Sequence, residues 1–128
     1  MIHLDANLLI AVANPNDLHA PTADRLIHTN GACAASACAW AEFKSRPIDP
    51  NREKVLHRIL TGGIIPFDQP AAALAGELFH RTGSKRRTRL DTMIAATAIL
   101  AGADLATVNA DDFAAFVPLG LKLRVLTP

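Results

Sequence analysis

Short apolar runs alternate with segments of helical pattern along the whole chain, and this alternation constrains the fold more than any single motif does. Ile2 to Leu4, Ala32 to Ala37, Ile64-Ile65, Leu105 to Val108 and Leu123 to Leu126 are the runs. They are short and lack the apolar–polar alternation of a strand with one wet face, although the Ala32 to Ala37 run by itself does not exclude a helix. They therefore read as strands buried on both sides, which is the signature of a parallel sheet covered by helices.

The intervening segments carry helix punctuation. Asp5-Ala6-Asn7 can cap a helix running through Leu8 to Val12, and Pro21 suits the first turn of one that ends near Asn30-Gly31. Ala39 to Lys44 reads as a third helix. Asp49-Pro50 opens a fourth, carrying Val55, Leu56, Ile59 and Leu60 and closed by Gly62-Gly63. Asp68 and Pro70 open a fifth with Leu74, Leu78 and Phe79 on its buried face, ending at Gly83. Arg89 to Ala101 is a sixth, with Leu90, Met93, Ile94, Thr97 and Ile99 turned inward, and Ala110 to Phe116 is a short helical piece between the last two strands. The expected class is α/β, one continuous domain over residues 1–128 with no repeat or linker.

Composition excludes several functions. Thirteen Lys and Arg against twelve Asp and Glu leave a net charge of +1, so a nucleic-acid footprint, if present, must be local. Cys33 and Cys38 have neither the spacing nor the companions of a zinc site. No apolar run approaches a bilayer span and the first residues lack a basic leader, so the expectation is a cytoplasmic protein without membrane attachment.

The twelve acids divide by location. Asp49 and Asp68 precede helices as caps, and Asp24, Glu53 and Glu77 fall on amphipathic helices where a solvated face is the default. Asp5, Glu42, Asp91 and Asp112 each adjoin an apolar run at a junction into a helix. In an open parallel sheet ligands bind beyond the carboxyl ends of the strands, where these four could converge. Converging carboxylates repel unless a divalent cation neutralises them, and all-oxygen donors select Mg²⁺ or Mn²⁺ and phosphate-bearing substrates. Each acid alone also has an ordinary reading, as a cap, a solvated helix residue or a partner of the helix dipole.

In order, Ile2-His3-Leu4-Asp5-Ala6-Asn7-Leu8-Leu9-Ile10, Ala41-Glu42-Phe43, Asp91-Thr92-Met93-Ile94-Ala95-Ala96-Thr97-Ala98 and Thr107-Val108-Asn109-Ala110-Asp111-Asp112-Phe113 resemble the PIN-domain ribonucleases, and more narrowly the VapC-type toxins of type II toxin–antitoxin pairs. The resemblance spans nearly the whole chain. It implies a PIN-like α/β/α sandwich with a central parallel sheet of four to five strands and an acidic pocket for Mg²⁺ or Mn²⁺. Position by position it assigns Asp5, Glu42, Asp91 and Asp112 as catalytic, metal-holding acids, with Asp112 preferred to Asp111 because the family's last acid directly precedes Phe. Asn7, Thr107 and Asn109 match positions that orient the acids through hydrogen bonds. Two departures stand out: Ala6 replaces the usual Thr or Ser after the first Asp, and Val108 occupies a position that is often Arg.

The resemblance also implies metal-assisted attack of water on an RNA phosphodiester, a cognate antitoxin that plugs the pocket with a basic residue, and a homodimer. Arg81, Lys85, Arg86, Arg87 and Arg89 crowd five basic residues into nine positions ahead of Asp91, with no acid between Glu77 and Asp91. They are candidate RNA-backbone contacts, although a solvated basic loop has the same pattern. The histidines are scattered: His57 and His80 fall on amphipathic helices, and His3 is expected to be a buried, hydrogen-bonded side chain. Two other functions remain open. One is a PIN-like module that binds RNA or a partner without cutting; retention of all four acids argues against it, while Ala6 leaves it open. Another α/β phosphohydrolase, such as a haloacid-dehalogenase-type phosphatase, would need a second Asp where this chain has Asn7.

Overall fold

The structure, a computed structural model, describes residues 1–127; Pro128, within the expected domain, lies outside the described residues. The elements are β1 (Ile2–Leu4), α1 (Ala6–Ala13), α2 (Ala20–Thr29), β2 (Cys33–Ser36), α3 (Ala37–Lys44), α4 (Pro50–Ile59), β3 (Ile64–Ile65), α5 (Gln69–Arg81), α6 (Arg89–Ala101), β4 (Asp104–Thr107), α7 (Ala110–Phe113) and β5 (Lys122–Val125). Their strands form one five-stranded sheet in the order β3-β2-β1-β4-β5. All pairings are parallel. The α/β class and the covered parallel sheet expected from the sequence are therefore present.

β1 lies at the centre, with Ile2 opposite Cys33 of β2 on one side and Asp104 of β4 on the other. From β1 the chain builds outward through β2 and β3, then returns to place β4 and β5 on the opposite flank. The reversal leaves a crevice beyond the ends of β1 and β4, the place where open parallel sheets bind ligands. Helices α2, α3 and α4 gather around α1, while α5 packs along α6, and α3 touches both groups.

The core explains why strands this short suffice. Leu4, Leu8, Leu9, Phe43, Leu56, Leu78, Ile94, Leu105, Phe113 and Phe116 are essentially solvent-free. Between them Ala34, Ala35, Ala95, Ala96, Ala98 and Ala106 are fully buried too, and their small side chains let helix backbones approach the sheet. The caps follow the sequence: Asp49 accepts from the Asn51 N–H at 3.0 Å and Asp68 from the Ala71 N–H at 3.1 Å. Gly102, at φ 64°, ends α6 in the left-handed region and turns the chain into β4.

Several local expectations are corrected. Strands β4 and β5 each run one residue earlier than the apolar runs suggested, and α3 starts at Ala37, inside the run assigned to a strand. Leu90 does not pack inward: it stands 37% exposed on the first, outward-facing turn of α6 beside Arg89. His3 is buried, yet neither ring nitrogen has a hydrogen-bond partner. Burial lowers its pKa, so the ring is held neutral. Leu18 and Val55 are exposed, whereas Leu26 is core. Among the described residues no helix is long and apolar enough to cross a membrane.

Candidate active site

Asp5 is the first residue after β1 and the N-cap of α1, so it must leave the strand while remaining under the helix. Its Oδ1 accepts from the Ala6 N–H at 2.7 Å, its Oδ2 accepts from the Thr107 hydroxyl at 2.9 Å, and its own N–H donates to the Ala106 carbonyl at 3.1 Å. Thr107 is fully buried at the end of β4, and its hydroxyl also accepts from the Asn109 N–H at 3.0 Å. One hydroxyl thus fastens the end of β1 to the turn that leads into α7. Ala6 is buried as well, and its contribution here is its backbone N–H.

Burial pushes the Asp5 carboxyl up to about 6; the Thr107 and Ala6 hydrogen bonds oppose the shift, and the charges of Glu42 and Asp112 add to it. Asp91, half-buried on the first turn of α6, is pushed up to about 7 by burial and then by the charges of Asp112, Asp5 and Glu42. The charges acting on Asp5 and Asp91 place all four acids in one electrostatic neighbourhood. Glu42, in the last turn of α3, and Asp112, in α7, stand exposed at its rim. Among the described residues no three His, Cys, Asp or Glu groups are gathered at ligand spacing, so the acids surround a shared space without meeting at a point. An all-oxygen donor set in which two buried or half-buried carboxyls feel the charge of their acidic neighbours fits a hard divalent cation, which would relieve that repulsion.

A cleft of about 380 Å³ opens against this neighbourhood. Asp91, Asp111 and Asp112 line it together with Lys85, Arg87, Thr82 and Thr88. The cations arrive there because Gly83 and Ser84 adopt consecutive left-handed conformations, at φ 94° and 55°, after α5. The Ser84 N–H donates to the Phe79 carbonyl at 2.9 Å, and a single 3₁₀ turn over Arg86–Thr88 then leads into α6. The rest of the basic run goes elsewhere. Arg81 faces Glu77 one helical turn back at 3.7 Å, Arg89 lies over the Phe79 ring at 4.6 Å, and Arg86 is exposed on the 3₁₀ turn. Asn7 is half-buried on α1 and Asn109 is exposed before α7; among the described residues neither side chain makes a hydrogen bond to the acids.

Sequence reading passed over Ser36. It is buried at the end of β2, and its hydroxyl accepts from the Ala39 N–H at 3.0 Å, fixing the start of the helix that carries Glu42. A Ser just before a helical pattern was the available signal. Thr82 and Thr88 had none, since only the fold brings them to the cleft.

A model of the PIN domain matches residues 2–117. The chain belongs to the PIN domain family. No curated protein matches it. Among solved structures, the PIN domain resembles FitAcB from Neisseria gonorrhoeae, at 24% identity over 96% of each chain with a TM-score of 0.71. A toxin–antitoxin complex from Klebsiella pneumoniae is 26% identical over 89% of this chain and 91% of that one, with a TM-score of 0.65. VapC20 of Mycobacterium tuberculosis, described as a Sarcin-Ricin loop cleaving toxin, matches at 16% identity over 90% and 95%, also at 0.65.

Proposed function

We propose that this PIN-domain nuclease is a metal-dependent endoribonuclease and the toxin of a toxin–antitoxin pair. The observation that carries the reading is the gathering of Asp5, Glu42, Asp91 and Asp112, where burial first and the neighbouring acids second push Asp5 up to about 6 and Asp91 up to about 7, beside a cleft that Lys85 and Arg87 also line. Acids alone would repel a polyanion. Cations on the same cleft allow one to approach. The likeness to toxins and to a toxin–antitoxin complex supports the biological half of the reading.

The four acids would hold Mg²⁺ or Mn²⁺, which when bound supplies Lewis-acid polarisation of the phosphodiester and activation of a water. The protein's own side chains do the rest. Thr107 donates to Asp5 and, by holding Asn109, ties β1 to the turn before α7 and so to Asp112. Lys85 and Arg87 receive the RNA backbone, with Arg81, Arg86 and Arg89 further along the same segment. Asn7 and Asn109 stand at the starts of α1 and α7, where on this reading they would orient the acids or a metal-bound water. The partners are an RNA, a cognate antitoxin whose basic side chain enters the acidic neighbourhood, and a second copy of the chain, with the protein acting in the cytoplasm.

Cleavage of a labelled structured RNA by purified, antitoxin-free protein tests this, with Mg²⁺ or Mn²⁺ and with EDTA, comparing the wild type with Asp91→Asn and Asp112→Asn. Metal-dependent cutting that both substitutions abolish is expected. A folded wild-type protein that binds RNA or an antitoxin but leaves a broad transcript pool intact would make it a binding module instead.

A further inference from the structure

A second concentration of positive charge is unused by this reading. Lys44, Arg46, Arg52, Lys54 and Arg58 lie on the last turn of α3, the loop after it and α4. Lys44 is paired with Glu53. Arg46 and Arg52 instead line a cavity of about 340 Å³ with Ile10, Asn14, Ile48 and Asp49, and among the described residues neither arginine has an ion-pair partner. The acid in the cavity is already engaged, since Asp49 caps α4 through the Asn51 N–H at 3.0 Å. Asn14 uses its side-chain oxygen on the Asn16 N–H at 3.1 Å, which leaves the amide N–H groups to donate. Two guanidinium forks and an amide, with Ile10 and Ile48 beside them for a sugar face, match a backbone phosphate.

The cavity lies at the far end of α1 from Asp5. The Trp40 ring of α3 meets the His57 ring of α4 at 4.9 Å in a tilted contact, and α1 packs against both helices. Helix α1 begins beside Asp5 and ends at the cavity, a length of about 12 Å at 1.5 Å per residue. Glu42 lies four residues before Arg46. The Lys85–Arg87 cleft lies instead against Asp91 and Asp112. An RNA strand led from the acids along α1 would meet Arg46 and Arg52 about 12 Å further on, a span of a few nucleotides.

We propose that Arg46 and Arg52, with Asn14, form a second phosphate subsite that grips the RNA backbone a few nucleotides from the cut bond. This rests on the ribonuclease reading and extends it. The test is fluorescence anisotropy of labelled RNA against salt in the Asp91→Asn background, with and without Arg46→Gln/Arg52→Gln. Cleavage kinetics of the same pair of arginine substitutions in the active protein, on oligonucleotides of decreasing length, complete it. The double substitution is expected to flatten the slope of log K against log salt by about 1 and to raise KM on long RNA. That difference disappears on oligonucleotides too short to span both sites, a crossover that misfolding would not produce. Lys54→Gln, an exposed cation on the same helix outside the cavity, serves as the comparison and changes the slope less. An unchanged slope and KM would overturn the subsite while cleavage by the wild type kept the ribonuclease reading intact. Loss of inhibition by an acidic antitoxin segment with RNA binding unaltered would also overturn it, and would assign the cavity to that protein. A wild type that neither cuts nor binds RNA would remove both proposals.

Discussion

The inner and outer halves of the acidic neighbourhood are built differently. Asp5 is buried and its carboxylate is held from two sides, by the Ala6 N–H and the Thr107 hydroxyl. Glu42 and Asp112 are exposed, and their positions depend on the helices that carry them. Asp91 lies between, half-buried and with the larger upward shift, and among the described residues no hydrogen bond restrains its carboxylate. Restraint by hydrogen bonds is thus concentrated where β1 ends. A site organised this way has one anchored acid and others placed only by the helices that carry them, and on the proposed reading these would share a divalent cation.

The largest effect should come from the anchor and its half-buried neighbour. Asp5→Asn and Asp91→Asn are expected to lower RNA cleavage by about 10²–10³-fold or more, measured as single-turnover rates with saturating Mn²⁺. Glu42→Gln at the rim should lose less. Equal losses at all positions would erase the distinction between anchor and rim.

Thr107→Val comes next. It removes a donor to Asp5 and an acceptor for the Asn109 N–H, with a cost of about 1–3 kcal/mol in unfolding free energy and about 10–100-fold in activity. Denaturant melts and rates at high metal concentration separate the two losses. Full activity would mean that the hydroxyl serves folding only.

The pH dependence sharpens the comparison through stability. Asp5 and Asp91 bind protons more tightly in the folded chain, at about 6 and about 7, than at the ordinary 3.8. The unfolded chain therefore releases those protons first, and stability falls as pH rises. Their contribution is fully present below about pH 4 and is lost by about pH 7. His3 acts in the opposite direction, because its lowered pKa removes stability as pH falls below 6.5. Comparing thermal melts of the wild type and Asp91→Asn in EDTA at pH 5 and pH 8 cancels that term. Asp91→Asn should be the more stable of the two at pH 8, by a few degrees, and the gap should shrink at pH 5. A gap independent of pH would contradict the shared field.

The smallest effects belong to the cations that leave the cleft. Arg81→Gln breaks an exposed one-turn pair worth about 0.3 kcal/mol, and it should alter RNA affinity less than Arg87→Gln. Filter binding at low salt ranks them.

What the sequence carried and what it withheld follow a physical line. Strand-and-helix alternation, the Asp49 and Asp68 caps and the place of Asp5 between β1 and α1 are local patterns, so they were readable, whereas Glu42, expected at a junction into a helix, stands in the last turn of α3; the PIN family match agrees with the resemblance. The direction of each side chain around α5 and α6 is tertiary. Five neighbouring cations therefore looked alike until the left-handed pair Gly83-Ser84 sent Lys85 and Arg87 one way and left Arg81 and Arg89 another. Leu90 failed for the same reason, because periodicity on a first helical turn does not say which side is covered. His3 exposes a limit of a different kind: burial was legible, but the absence of a partner for its ring depends on neighbours drawn from distant strands.

The hydrogen bond between Asp5 and Thr107 joins residues 102 positions apart. Such a closure is slow to find and cannot precede the making of its later half. A chain growing from its N-terminus therefore carries Asp5 without its clamp until Thr107 has been added and β4 has docked beside β1. On the proposed nuclease reading this would be a built-in delay: premature termination before Thr107 yields fragments without the clamp, so the capacity to cut would arise only late in synthesis.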